Sequence, residues 1–335
     1  MNATISNINT PAQPSAIKVA GLFNNLSLPD SVNVLGYDSP SGTIQPVNRN
    51  YHFRREIVRE VFEFLNEPDG DALMLTGPIG SGKTSVIGQV LSRLNWGCDS
   101  ITASGNFTFD TLVGHNTLMA PSPGAQPVMK FKYGVLPKAM KHGRILLINE
   151  FDYANPSEMG GLNDILEGAP LIIPENGGEV IHAHPMFRVV VTGNSQGSGD
   201  KSGLMPGIKT QNPAFLDRFR ITEVPYMNPE EELKLCSSVY QMIPEDILRG
   251  YVEVANGIRV QFLGDETSAP TLSTTMSTRV LLRWIHLTIA FRNPELSSMQ
   301  LALDHALLRR VDHEDRAGIR KMCSDTFGDQ WTKAI

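Results

Sequence analysis

Apolar positions in this chain recur with two periods, and the switch between them divides it. From Phe53 to Leu65 the residues Ile57, Val58, Val61, Phe62 and Leu65 fall at helical spacing among Arg and Glu, which predicts an amphipathic helix. A short apolar run follows, Ala72 to Thr76 (ALMLT), bounded by Asp71 and Gly77. Beyond the next glycines, Val86, Ile87, Val90, Leu91 and Leu94 again line one helical face. Two further runs, Ile145 to Ile148 (ILLI) and Phe187 to Thr192 (FRVVVT), have the length and content of strands buried on both sides. Such alternation predicts an α/β fold, a parallel sheet with helices on both faces.

After about Pro225 the helical period dominates. Asn228-Pro229-Glu230-Glu231 reads as a helix start, with Asn as cap, Pro first and Glu third. Val280, Leu281, Trp284, Ile285 and Leu287 mark one helical segment, and Leu301, Leu303, Ala306, Leu307 and Leu308 another. Trp284 and Met276 read as the core of that region. The expected organisation is a flexible arm over 1–30, an α/β nucleotide-binding domain over 31–225 and a small all-α lid domain over 226–335. Met1 to Ala16 carries no Lys or Arg and no apolar run, so it does not read as a signal peptide. No repeat with a period of about 20 to 50 residues is visible.

Composition narrows the class. With 335 residues, 41% hydrophobic and 19% charged, the chain reads as a soluble globular protein, of about two folding units at roughly 150 residues each. Lys and Arg number 29 against 35 Asp and Glu, a net charge of -6, which argues against a partner held by phosphate or lipid charge. Nucleic acid is therefore an unfavoured partner, although a local basic channel remains open. Cys98, Cys236 and Cys323 lie far apart, with no Cys-x-x-Cys pair for a disulfide framework or zinc site. A reducing cytoplasm fits, and no stretch approaches the roughly 18 apolar residues of a membrane span.

The chemistry begins at Gly77-Pro78-Ile79-Gly80-Ser81-Gly82-Lys83-Thr84, which matches G-x-x-x-x-G-K-[ST] between a predicted strand and a predicted helix. The glycines let backbone N–H groups converge on phosphates, Lys83 reaches the outer phosphates, and the Thr84 hydroxyl is offered to Mg2+. With Ser85 beginning the helix, this is the expected ATP site.

The strand Ile145 to Ile148 ends in Asn149-Glu150, where P-loop ATPases commonly place Asp-Glu. Asn149 can act on Mg2+ through bound water but brings no negative charge, so weaker metal affinity is expected. Glu150 keeps the position that orients the attacking water, and Asp152 is near enough in sequence to compensate for Asn149. Asn194, a single amide at the end of an apolar strand, is a candidate to position that water. In Phe215-Leu216-Asp217-Arg218-Phe219-Arg220, either guanidinium could project as a finger, or pair with nearby acids. Ser277-Thr278-Arg279 opens a helix whose cation could close over a nucleotide. His182 and His184 share one face of a predicted strand, but without a third ligand at suitable spacing they read as hairpin residues.

This ordered set resembles the AAA+ ATPases of the MoxR group, and within it the ATPase subunit of aerobic, ATP-dependent cobaltochelatase. The likeness covers about residues 30 to 328. Beyond the P-loop it rests on LSRLNWGC (91 to 98), LVGH (112 to 115), YGVLPKAM (133 to 140), NEFDYANP (149 to 156), HPMFRVVVTGNSQGSGDKSGL (184 to 204), LDRF (216 to 219) and LSTTMSTRVLLRW (272 to 284).

The resemblance implies a homo-oligomeric ring, six-membered, with ATP and Mg2+ between neighbours. Lys83 and Thr84 would be Walker A contacts, Asn149 and Glu150 the Walker B pair, and Asn194 sensor 1. Arg218 would be the finger reaching the next subunit and Arg279 sensor 2, leaving Arg220 structural. Two inserted loops, here Gly114 to Gly134 and Leu171 to Pro185, would contact the client, the second turning at Glu175-Asn176-Gly177-Gly178. Any cobalt and tetrapyrrole would sit on another, larger subunit. Departures are Asn149, and Gly160-Gly161 where a helix is expected.

The partner expected first is a chelatase complex acting on a corrin precursor; the alternative is a protein with a von Willebrand A domain served by a MoxR-type chaperone. A different class also stays open, an assembly module that binds ATP but hydrolyses it weakly because of Asn149.

Overall fold

A computed structural model describes residues 12–120, 126–199, 207–264, 270–291 and 297–333. The chain forms two compact units. One comprises the chain up to Gly77 with Gly82–Val224, and the other Pro78–Ser81 with the chain from Pro225 onward.

The first unit begins with strands β1 (Pro14–Lys18) and β2 (Asn33–Tyr37), then helix α1 (Arg55–Asn66), β3 (Ala72–Thr76), α2 (Lys83–Arg93), β4 (Cys98–Thr102) and α3 (Phe109–Val113). A hairpin of β5 (Gly114–Met119) and β6 (Val128–Tyr133) follows, then α4 (Val135–His142), β7 (Ile145–Asn149) and two single-turn helices, α5 (Pro156–Met159) and α6 (Asn163–Leu166). A second hairpin, β8 (Leu171–Ile173) and β9 (Glu179–Ile181), precedes β10 (Arg188–Gly193), α7 (Pro213–Leu216) and β11 (Phe219–Glu223).

Five strands make the central sheet in the order β11-β3-β10-β7-β4, and every pairing is parallel. Alternation along the strands divides the core. Leu73, Leu75, Ile145, Leu147 and Val190 face a cluster with Val58, Val61 and Leu65 of α1 and Ile87, Val90 and Leu91 of α2. Met74, Leu146, Ile148, Val189 and Val191 face the opposite cluster, with Leu112 of α3, Leu136 and Met140 of α4, and Phe215 of α7. The expected parallel sheet covered by helices on both faces is therefore present. Its outer strands β4 (CDSIT) and β11 (FRITE) carry no apolar run, because each has a neighbour on one side only.

The flexible arm expected over 1–30 is corrected for residues 12–30; residues 1–11 lie outside the described residues. Strand β1 pairs antiparallel with β2. Val19 and Phe23 are buried, with the Phe23 ring edge-on to Phe53 at 4.7 Å and Phe62 at 5.1 Å. Ile17, Leu22, Leu26 and Leu28 pack partly buried against the same cluster, so this segment is held by apolar burial along its length.

Gly160-Gly161 does interrupt helical structure: a 3-10 turn over Gly160–Leu162 separates α5 from α6. A Cβ on Gly161 would stand 2.6 Å from the Phe109 ring, so the glycine permits close packing against α3. The strand expected to carry His182 and His184 ends at Ile181, and His184 Nδ1 instead accepts the Met186 N–H at 3.1 Å.

The second unit is helical, with α8 (Pro229–Val239), α9 (Glu245–Leu263), α10 (Thr278–Ala290), α11 (Ser298–Ala306), α12 (His313–Phe327) and α13 (Asp329–Thr332). Asn228 caps α8 as its sequence predicts, accepting the Glu231 N–H at 2.8 Å. Trp284 and Met276 are fully buried in its core. A buried ion pair crosses that core, Arg259 Nη1 to Glu232 Oε2 at 2.6 Å and Nη2 to Oε1 at 2.8 Å. Thr278 Oγ1 donates to the same carboxylate at 2.6 Å, which fixes the start of α10. Among the described residues, no helix is long and apolar enough to cross a membrane.

Candidate functional site

The site is built at the carboxyl ends of β3, β10 and β7, three neighbours in the sheet. In parallel α/β sheets this edge collects ligands, because loops leaving adjacent strands part there. After β3 the chain turns through Gly77, Gly80 and Gly82, at φ 141°, 74° and 99°. These left-handed values favour glycine, and Gly82 then caps α2. Pro78 accepts the Ser81 N–H at 3.2 Å, closing the loop. Ile79, at its tip, is exposed and Gly80 is partly exposed; a Cβ on Gly80 would meet the Ser277 Cβ at 2.3 Å. Lys83, Thr84 and Ser85 form the first turn of α2, whose free N–H groups and dipole favour an anion.

Lys83 Nζ donates to Gly77 O at 2.7 Å and to Asn194 Oδ1 at 2.9 Å. Desolvation brings its pKa down to about 8, opposed by the negative charges of Asp152 and Glu150. Thr84 Oγ1 donates to Asn149 Oδ1 at 2.9 Å. Thr192 Oγ1 donates to the same oxygen at 3.3 Å and accepts the Glu150 N–H at 3.3 Å. Asn149 and Asn194 thus meet the P-loop, although they lie far from it in sequence, and Glu150 directly follows Asn149. Glu150 is exposed at the mouth and holds φ 54°, a left-handed value uncommon outside glycine.

The Asn149 oxygen takes a hydroxyl on each of its two lone pairs. Its effect is therefore on Thr84, whose proton is committed to the amide and whose oxygen lone pairs stay available to a cation. Thr84 with Asn149 fits Mg2+ in the way such sites usually hold it, by few protein oxygens together with phosphate oxygens. Among the described residues there is no group of three or more His, Cys, Asp or Glu that could hold a metal ion.

Asp152 does not compensate for Asn149. It is fully buried, and its Oδ2 accepts the backbone N–H groups of Asn194 at 2.6 Å and Ser195 at 3.0 Å. Burial raises its carboxyl pKa, opposed by those N–H groups and by Lys83. Sequence reasoning also missed Thr192; its one signal was a hydroxyl in an otherwise apolar strand.

Two further predicted residues are Arg218 and Arg279. Arg218 lies after α7, where Nε donates to Glu167 Oε1 at 3.1 Å and Nη1 to Ala214 O. Arg279 is exposed in the first turn of α10, in the second unit. Arg220 pairs with Asp71 at 2.7 Å and Asp69 at 3.0 Å.

Comparison with known proteins gives similarities along most of the chain. Residues 72–219 match the family model described as AAA domain, dynein-related subfamily, and residues 237–326 match the CbbQ/NirQ/NorQ C-terminal model. The chain is 27% identical over 319 residues to the aerobic cobaltochelatase subunit CobS of a Sinorhizobium species, covering 94% of this chain and 90% of that protein. It is 26% identical over 259 residues to YojN, an uncharacterised protein of Bacillus subtilis strain 168, covering 77% and 79%. Among solved structures, a point mutant of Thermotoga maritima RuvB aligns at a TM-score of 0.49 and 13% identity, covering 87% and 77%.

Proposed function

We propose that this chain, whose residues 72–219 match the dynein-related AAA domain and 237–326 the CbbQ/NirQ/NorQ C-terminal model, is an ATPase that hydrolyses ATP between neighbouring copies in a six-membered ring to remodel a partner complex. The observation that carries the reading is the convergence of Lys83, Thr84, Asn149 and Asn194 at the ends of three adjacent parallel strands.

Each residue then has a task. N–H groups of Gly80 to Ser85 take up phosphate oxygens, and Lys83 turns its ammonium from Gly77 O toward the outer phosphates. Thr84, oriented by Asn149, would hold Mg2+, which when bound offsets phosphate charge. Glu150 and Asn194 orient water for in-line attack. Arg218 leaves Glu167 to reach the triphosphate of the next copy, and Arg279 closes over the bound nucleotide. Positioning and charge stabilisation supply the rate, as is usual for phosphoryl transfer.

The partner we propose is the metal-inserting subunit of a chelatase, on the strength of the match to CobS along nearly the whole chain. A von Willebrand A domain protein is the alternative. Isolation of the chain with a large chelatase-type subunit supports the first, and isolation with an adhesion-domain protein supports the second. The ATPase itself is tested by Glu150→Gln, which abolishes turnover while calorimetry still detects ATP binding. Lack of any ATP uptake by the unaltered protein overturns the reading.

The neutral Asn149 favours a second reading, a nucleotide-gated assembly module with little turnover. Brisk turnover by the unaltered protein, lost in Glu150→Gln, excludes it.

A further inference from the structure

Asp152 lies outside the P-loop, the strand ends and the proposed finger, yet it is the buried carboxylate that joins two of them. It sits in the 3-10 turn Phe151–Tyr153 that directly follows Glu150. That turn is closed by Tyr153 N–H to Glu150 O at 3.1 Å and Ala154 N–H to Phe151 O at 3.0 Å. Its Oδ2 takes two backbone N–H groups, from Asn194 and Ser195, immediately after β10. Its main-chain oxygen accepts the Lys209 N–H at 2.8 Å, tying in a third segment.

Gly193 makes the clasp possible. A Cβ there would stand 2.4 Å from the Phe151 ring and 2.5 Å from Asp152 Oδ1. Asp152 Oδ1 is buried without a hydrogen-bond partner. Leaving a buried polar oxygen unsatisfied costs about 1–3 kcal/mol, so a residue kept in this state is accounted for by what its other oxygen does. The side chain is 0% exposed, which denies it the hydrated cation that a magnesium-shell carboxylate must reach.

We propose that Asp152 is a positioning residue: by clamping the backbone of Asn194 and Ser195 onto the turn after Glu150, it sets the aim of the Asn194 amide at Lys83 and makes Glu150 and Asn194 move as one unit. The amide direction depends on the Asn194 backbone, and the backbone N–H is fixed by the shortest of the Asp152 bonds. Loss of the clamp frees Asn194 to rotate away while leaving the P-loop in place. The inference rests on the ATPase reading, but part of its test does not need turnover.

The experiment is a double-mutant cycle of Asp152→Ala and Asn194→Ala in the full chain, with Asp152→Asn as the conservative variant and amide hydrogen exchange as the second readout. Asp152→Ala lowers kcat by about tenfold or more, the loss of charge-assisted hydrogen bonds, with half-saturating ATP and Mg2+ moving less than about threefold. In the Asn194→Ala background it adds less than about twofold, because groups acting as a unit are not additive. Asp152→Asn restores most of the rate, since its amide oxygen accepts the same N–H groups. The Asn194 and Ser195 amides exchange faster in Asp152→Ala and stay protected in Asp152→Asn.

Multiplicative losses in the double mutant, or unchanged exchange at Asn194 and Ser195, overturn the proposal. So does an equal rise in the Mg2+ requirement of both Asp152 variants, which would make Asp152 a metal carboxylate. If the unaltered protein shows no turnover, the ATPase reading fails, and amide exchange alone decides the clamp.

Discussion

The Lys83 ammonium donates to the Asn194 amide oxygen at 2.9 Å, across 111 positions of sequence. The residue that directly follows β10 thereby touches the cation meant for the outer phosphates. Asn194→Ala removes a polar group aimed at the reacting end, a change worth about 10²-fold in kcat where comparable groups have been removed. Half-saturating ATP should change far less, because the phosphate-binding N–H groups remain. Steady-state kinetics over a range of ATP concentrations separates the two constants.

Asn149→Asp adds a charge beside Thr84, whose hydroxyl already points at that side chain. The expected result is an Mg2+ requirement reduced by about tenfold, equivalent to about 1.4 kcal/mol of extra attraction. Turnover at limiting Mg2+ rises, and at saturating Mg2+ it changes little. Titration of activity with Mg2+ at fixed ATP reads both.

The strands β3, β7 and β10 were legible because each is buried on both faces and therefore reads as an unbroken apolar run. Strands β4 and β11 were not, since CDSIT and FRITE keep polar side chains at the sheet margins. Strand β1 escaped because PSAIK carries one large apolar side chain, Ile17, and none of its five residues is fully buried. Within the site, the P-loop is local and was plain, whereas Asn149 meeting Thr84 and Asn194 meeting Lys83 depend on strand order. The role of Asp152 was misread because sequence proximity to Asn149 says nothing of direction. The turn after Glu150 sends its carboxylate to the Asn194 backbone instead.

In the second unit, Arg259→Met leaves the Glu232 carboxylate buried without its partner. Breaking such a pair costs about 3–5 kcal/mol, and Arg259 also holds the Met276 carbonyl at 2.7 Å. Urea unfolding followed through Trp284 and Trp331, both in that unit, should show a large fall in midpoint. Thr278→Val, which removes one hydrogen bond to the same carboxylate, should cost only about 1 kcal/mol.

Glu179, at the start of β9, joins the two hairpins. It accepts from Tyr133 Oη at 2.6 Å, from Lys141 Nζ at 2.6 Å and from Asn176 Nδ2 at 2.6 Å. Hydrogen bonds from Lys141 first, and then Tyr133, lower its pKa from 4.5 to about 2. A carboxylate depressed in the folded state contributes stability that is complete above the unfolded value and fades as pH falls toward the folded one. Between pH 4.5 and 2 the unaltered protein should therefore lose more stability than Glu179→Gln. Denaturant midpoints of the two proteins across that window make the comparison.

The shared site is tested most directly by mixing two inactive variants, Lys83→Ala and Arg218→Ala, co-assembled into one ring. A copy with an intact P-loop but no Arg218 then stands beside a copy that supplies Arg218 but binds no ATP. The account predicts that turnover, absent in either variant alone, returns in the mixture. Mixed rings as inactive as their parents would contradict it.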